Sequence, residues 1–186
     1  MFGTRKRPVV YFIMEESNMK KMKRLVAVLL AGIMALAMLT ACGGGSFTPT
    51  SDVEKAEALY MDAYNTALGA DYKNDAELKN QAKQFLEENL NADGTLKIDG
   101  KMTVTKKDGK VWTTVTILGS KNVPYGITSE ELADTPANKD KAIAEARKNV
   151  NDTTKNITTG LAVGAVKKGD KIYVAIAMTK NMELMK

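Results

Sequence analysis

The sequence predicts an α+β domain: an antiparallel sheet of two hairpins with helices packed on it, and an α-β-α sandwich if helices cover both faces. Three observations predict it. Apolar residues recur at helical spacing in the stretches 53–67, 78–86 and 142–150. Elsewhere the apolar period changes to two. The period-two stretches also come in pairs, each around a glycine-bearing turn, Asp108-Gly109 and Gly169-Asp170. Helices set between two hairpins indicate α+β rather than alternating β-α units.

Ser51-Asp52-Val53-Glu54 reads as a capping box, with Ser at the N-cap and Glu three residues on. Val53, Ala56, Tyr60, Ala63, Tyr64 and Ala67 form the apolar stripe of the helix that follows, and Gly69 supplies its stop. A second helix is expected from Asn74 or Asp75, with Leu78, Ala82, Phe85 and Leu86 inward, ending by Asn91. Leu96, Ile98, Met102 and Val104 then alternate with polar residues and read as a strand. Lys107-Asp108-Gly109-Lys110 turns it into a partner strand over 111–118. Trp112, the sole tryptophan, is expected in the core, because large aromatics are usually mostly buried. Residues 119–126 read as irregular, and Ser129 to Leu132 as one helical turn. A third helix is expected over 138–150, with Ala142, Ile143, Ala146 and Val150 inward. The last hairpin runs out over 157–166 and back over 171–179. It is apolar in both phases, the pattern of strands covered on both faces, so it is expected inside the sheet.

The first 41 residues read as processing signals rather than fold. Lys20, Lys21, Lys23 and Arg24 form a basic run, and 25–38 follow with fourteen uncharged residues. Small residues then lead to Cys42, which is the order of a secretory signal peptide. The apolar stretch is short for a spanning helix of about 20 residues; the alternative is a retained membrane anchor. Leu39-Thr40-Ala41-Cys42 resembles the lipobox of bacterial lipoproteins, which implies diacylglycerol transfer to the Cys42 thiol and cleavage before it. Gly43-Gly44-Gly45-Ser46 and the residues up to Ser51 read as a flexible tether. Residues 1–18 precede a complete signal peptide and are expected to be an upstream extension, with Met19 or Met22 the true start. The expected organisation is therefore extension 1–18, signal peptide 19–41, lipidated tether 42–51 and one α+β domain, 52–186.

Composition excludes several chemistries. Seven of the 27 Lys/Arg and two of the 22 Asp/Glu precede Cys42, which leaves 20 of each and a neutral mature chain. No clustered basic surface for nucleic acid is expected. Cys42 is the only cysteine, so no intramolecular disulfide forms, and there is no histidine. Ser-His-Asp and Cys-His catalysis and His-ligated zinc are removed together. Carboxylates, lysines and tyrosines remain.

Three stretches carry a family resemblance. Asn65, Asp75-Ala76-Glu77-Leu78 and Ala82 lie in the opening helix pair. Gly119-Ser120-Lys121-Asn122-Val123-Pro124-Tyr125-Gly126 is followed by Ser129-Glu130-Glu131. Thr159-Gly160-Leu161-Ala162-Val163-Gly164-Ala165 is followed by Lys168-Gly169-Asp170-Lys171-Ile172-Tyr173-Val174. In order and spacing these resemble the CAP superfamily of cysteine-rich secretory, antigen 5 and pathogenesis-related proteins. The chain departs from the family's cavity: it has no histidine, and Lys121 stands where a glutamate is usual. The resemblance implies a member without the metal-binding cavity.

Lys121, Asn122, Tyr125, Glu130 and Glu131 are the candidate groove residues. Adjacent glutamates on a short helix point apart, so they read as a solvated helix start near the positive dipole end rather than a catalytic pair. Asn89-Leu90-Asn91-Ala92-Asp93-Gly94 has the rhythm of a calcium loop, but the twelfth position is Gly100, not a bidentate Glu. A helix end followed by an Asp-Gly turn is the expected reading. No cofactor, metal or catalytic residue is expected. The expected protein is an extracytoplasmic lipoprotein held to the membrane by lipid on Cys42. Its domain would bind a protein, glycan or small apolar ligand. The alternatives are a CAP-like hydrolase or metal-dependent envelope enzyme, and a structural envelope lipoprotein.

Overall fold

The computed structural model describes residues 51–185. The upstream extension, the signal peptide, Cys42 and the tether up to Thr50 lie outside the described residues.

Helix α1, Asp52–Leu68, starts where the capping box places it. Glu54 N–H donates to Ser51 Oγ at 3.2 Å, and Ser51 N–H to Glu54 Oε2 at 3.1 Å. Gly69 ends it in the left-handed conformation, φ 68°. The Asn65 side chain then closes the loop, with both its oxygen and its nitrogen 2.9 Å from backbone partners on Tyr72. Helix α2, Ala76–Asn89, is capped by Asp75, which accepts from Leu78 N–H at 2.9 Å. Strands β1, Thr103–Asp108, and β2, Val111–Ile117, form the first hairpin, with Gly109 at φ 54° in its turn. A small hairpin of β3, Gly119–Ser120, and β4, Val123–Pro124, follows. After the one-turn 3-10 helix Glu130–Leu132 comes α3, Pro136–Asn149, with Thr135 as N-cap and proline in its first turn. A short helix α4, Asp152–Ile157, leads into β5, Thr158–Lys168, and β6, Lys171–Asn181.

The four long strands form one antiparallel sheet in the order β1-β2-β6-β5. Strict alternation along β5 and β6 divides their apolar side chains between two cores. Leu161, Val163, Ala165, Val174 and Ile176 meet Ala56, Tyr60 and Tyr64 of α1 and Ala142 and Ala146 of α3. Ala162, Val166, Tyr173, Ala175 and Ala177 meet Ala82, Phe85 and Leu86 of α2, with Val115 and Ile117 of β2. Helices therefore cover both faces, and the domain is an α-β-α sandwich. Small residues set the spacing on the α2 side. A Cβ on Gly164 would lie 2.8 Å from Ala82 Cβ, Lys79 O and Lys83 N, so helix and strand approach to backbone distance there.

The expectation that the last hairpin lies inside the sheet holds for β6 and not for β5. Strand β6 pairs on both sides, whereas β5 is an edge. An edge leaves backbone donors and acceptors unpaired. Here side chains take them. Asn74 Nδ2 donates to Val163 O at 3.1 Å, and Val163 N–H donates to Asn74 Oδ1 at 3.0 Å, so one amide imitates a strand partner. Ala165 N–H donates to Glu57 Oε1 at 3.3 Å. Glu57, on α1 and 6% exposed, also holds Lys83 at 2.8 Å and Lys79 at 3.6 Å, both on α2. The two helix layers are thus fastened to each other around the edge of β5. Tyr72 Oη closes the strand's start, donating to Thr158 O at 2.7 Å.

Four local expectations are corrected. The first strand begins at Thr103, not Leu96. The segment 97–101 wraps the end of α2, because Lys97 N–H donates to Asn89 O and Lys101 N–H to Asn89 Oδ1. Ile98 is left fully exposed. Trp112 is half-buried on the uncovered part of the sheet, with Lys107 Nζ 4.2 Å from its ring centre; it belongs to neither core. Residues 119–126 are ordered by the β3–β4 hairpin, whose turn residues Lys121 and Asn122 both adopt positive φ, 49° and 66°. Helix α4 was not expected.

Candidate functional site

The border of the α1 core stripe, at Leu59 and Tyr60, and the outward residues beside it form one wall of a cleft. The segment 128–134 and the start of α3 form the other. Side-chain hydrogen bonds fix the second wall. Ser129 Oγ donates to Asp52 Oδ2 at 2.6 Å, which ties the segment to the start of α1. Asn138 Nδ2 donates to Glu130 O and Ala133 O, both at 3.0 Å, which ties it to α3. Glu131 turns its carboxylate back to accept from Thr128 N–H at 3.0 Å and pairs with Lys141 on α3.

The cleft holds two hollows that share Leu59. The smaller, of about 390 Å³, is lined by Tyr60, Tyr125, Ile127, Glu131, Asn138, Lys141 and Glu145. The larger, of about 710 Å³, lies among Lys55, Asp62, Ser129, Leu132, Asp134 and Lys139. Both volumes fall in the range of small-molecule sites, about 300–1,000 Å³.

Several titratable groups in and beside the cleft are shifted by their neighbours. The Lys141 ammonium, with the Thr128 N–H, holds the Glu131 carboxyl below its ordinary value and ionised. Burial pushes the Tyr60 hydroxyl up to about 12, helped by the charges of Glu145 and Glu131. Asp134 raises Lys139, and Glu145 raises Lys148, each by direct hydrogen bonding. Behind the wall, burial also raises Tyr64, against the opposing hydrogen bond from Asn149 Nδ2 at 3.2 Å. A general acid or base works best with a pKa near the operating pH. The groups shifted here are fixed as ions or as a neutral phenol, which suits recognition.

Of the five candidate groove residues, Tyr125 and Glu131 are brought together in the smaller hollow. Glu130 is exposed and contributes its backbone carbonyl to Asn138. Lys121 and Asn122 sit at the tip of the β3–β4 hairpin, exposed and outside the lining. Leu59, Asp62, Asn138, Lys139, Lys141 and Glu145 complete the cleft and were not singled out by the sequence. Their only signal is a place at the borders of the core stripes or on the outward faces beside them. Cys42 lies outside the described residues.

In the segment beginning at Asn89, Asn89 Oδ1 and Asp93 Oδ1 are engaged by the chain itself. Asp93 Oδ1 accepts from Thr95 N–H at 2.9 Å and from Thr95 Oγ1 at 2.7 Å, and Gly94 turns at φ 83°. Among the described residues, no group of three or more acidic residues is placed to hold a metal ion, and no helix is long and apolar enough to cross a membrane. Asn65, in the first CAP-like stretch, is used to close the α1–α2 loop. Comparisons of the chain with protein-family models, with curated proteins and with solved structures find no match.

Proposed function

We propose that this protein is an extracytoplasmic lipoprotein, tied to the membrane through lipid on Cys42, whose α1–α3 cleft binds a ligand without transforming it. The anchor rests on Leu39-Thr40-Ala41-Cys42 and the basic and apolar runs before it. The binding role is carried by one observation: a cleft of ligand size whose shifted charges are all locked by neighbours. Exposed Tyr125, the phenol of Tyr60 and the Asn138 amide offer stacking and hydrogen bonds, which suit a small glycan or an amphiphile. Kinship with the CAP superfamily is part of this proposal only through its three sequence stretches, since a layered architecture is shared by unrelated proteins. A CAP-like hydrolase reading needs a group titrating near neutrality in the cleft. A purely structural reading needs no cleft.

The test combines two variants. Cys42→Ser should leave the membrane fraction or accumulate as precursor, and mass spectrometry of the membrane-bound mature protein should show the modified cysteine. An unmodified Cys42 there sinks the anchor. Leu59→Arg, in the wall shared by both hollows, should fold normally and lose the thermal shift that short glycans or amphiphiles give the wild type. Turnover of any of these compounds, or equal shifts in both proteins, sinks the binding reading.

A further inference from the structure

Helix α1 begins at the end of the sheet where β5 turns into β6. Ser129 Oγ holds Asp52 there, and Asp52 lies near enough to Lys167 for that charge to lower its pKa. Lys167 pairs with Ile172 at the closed end of the hairpin. Whatever precedes Ser51 therefore joins the domain at this end. Eight residues, Gly43 to Thr50, lie between the lipid site and Ser51, which is at most about 30 Å of chain.

The same end carries apolar side chains that neither core takes. Ile98 is 104% exposed and Val123 61%, with Tyr125 at 38%. Ile98 follows Lys97, whose Nζ donates to Glu87 O and Glu88 O at 3.0 and 2.7 Å. Glu87 in turn pairs with Lys168 beside the β5–β6 turn. Val123 is on the β3–β4 hairpin. Tyr125 precedes Gly126, which packs on Lys171 and Tyr173, and Ile127 bridges to Ile172. Lys97, Lys121, Lys167, Lys168 and Lys171 share this end with Asp52, Glu87, Asp93, Asp99 and Asp170. The charges balance, so net attraction is not what the surface offers. It offers apolar tips flanked by long cations that can keep their heads in water, the composition of a surface that sits at a bilayer interface.

We propose that this end is a membrane-docking face, in which Ile98 and Val123 enter the headgroup region of the bilayer that holds the lipid on Cys42. The proposal rests on the lipid-anchor reading. With the lipid site no more than about 30 Å away, docking is intramolecular, and a weak intrinsic affinity suffices. Docking also gives the domain a direction. Trp112 pairs with Lys180, whereas Leu118 bonds to Val174 O six residues further along β2, about 20 Å nearer the docked end.

The native tryptophan makes the test. The mature lipidated protein is reconstituted in phosphatidylcholine–phosphatidylglycerol vesicles with brominated acyl chains. It is compared with Trp112→Phe/Val123→Trp and Trp112→Phe/Ile98→Trp, which move the only tryptophan to exposed positions. All three should float with the vesicles. Emission from position 123 or 98 should shift to the blue and be quenched, and Trp112 emission should not. Flotation without quenching at either position keeps the anchor and overturns the docking face. Equal quenching of Trp112 overturns the orientation. Absence of flotation removes the anchor, and the docking face with it.

Discussion

Asn74→Ala tests whether a single side chain seals the open edge of the sheet. The substitution removes two hydrogen bonds, of 3.0 and 3.1 Å, to the N–H and C=O of one residue, Val163. Two such bonds contribute about 2 kcal/mol net. Val163 is fully buried, which restricts the water able to replace the lost partners. Leaving them partly unsatisfied brings the expected loss to about 2–4 kcal/mol, a large share of the roughly 5–15 kcal/mol typical of a domain. Urea denaturation should show a lower midpoint at unchanged slope, which marks a change of stability rather than of the unfolded state. Asn74→Asp sharpens the test. It keeps the acceptor for Val163 N–H but sets a carboxylate oxygen against Val163 O, so at neutral pH it should be at least as damaging as alanine. The neutral acid can donate, so its folded pKa is raised and its stabilisation exists at low pH. It should outperform Asn74→Ala as the pH falls below about 4. An Asn74→Ala loss within about 0.5 kcal/mol, the range of an ordinary surface change, would refute the reasoning and leave β5 held by β6 and the cores alone.

Three further predictions concern the sandwich and the cleft. Gly164→Val should cost about 3 kcal/mol or more and Gly164→Ala about 1–3 by overpacking against α2, measured by thermal melting; a neutral valine would show that α2 moves away freely. Val174→Asp buries an unpaired carboxylate at a fully buried position of the central strand and should abolish the cooperative transition seen by circular dichroism; a native-like melt would make the hairpin peripheral. Glu131 has a folded pKa below its ordinary 4.5, so its stabilisation is present above that value and is lost as the pH falls through the depressed one. The stability difference between wild type and Glu131→Gln should be small, because the pair is open to solvent, and should vanish once the pH falls below that depressed value; a difference constant with pH would assign it to packing.

The parts of the fold that depend on neighbours in sequence were legible. The Ser51-Glu54 box, the Gly69 stop and the turns at Gly109 and Gly169 each act within a few residues, and each lies where the sequence placed it. The two-phase apolar pattern of β5 and β6 correctly signalled cover on both faces. What failed was decided at long range. Alternation from Leu96 to Met102 was overruled by Asn89, which captures two backbone N–H groups of that segment. Trp112 stays half-exposed because it lies beyond both cores. Asn74 looks like an ordinary loop residue and Glu57 like an ordinary polar helix residue, since their partners are 89 and 108 residues away. The cleft was found only at Tyr125 and Glu131, because its remaining walls combine the borders of core stripes with outward polar residues of two helices, which carry no pattern of their own.

The position of β6 has a kinetic consequence. Like β2 it has partners on both sides, and it is the last strand among the described residues. Helices α1 and α2 come first, yet the surfaces that bury them belong to β5 and β6, about a hundred residues later. A growing or emerging chain can therefore form its first helices and hairpin without closing either core until its final segment is free. Such non-local closure is slow compared with local folding. The domain should remain soft and susceptible to proteases until its C-terminal strand arrives, then become resistant in one step.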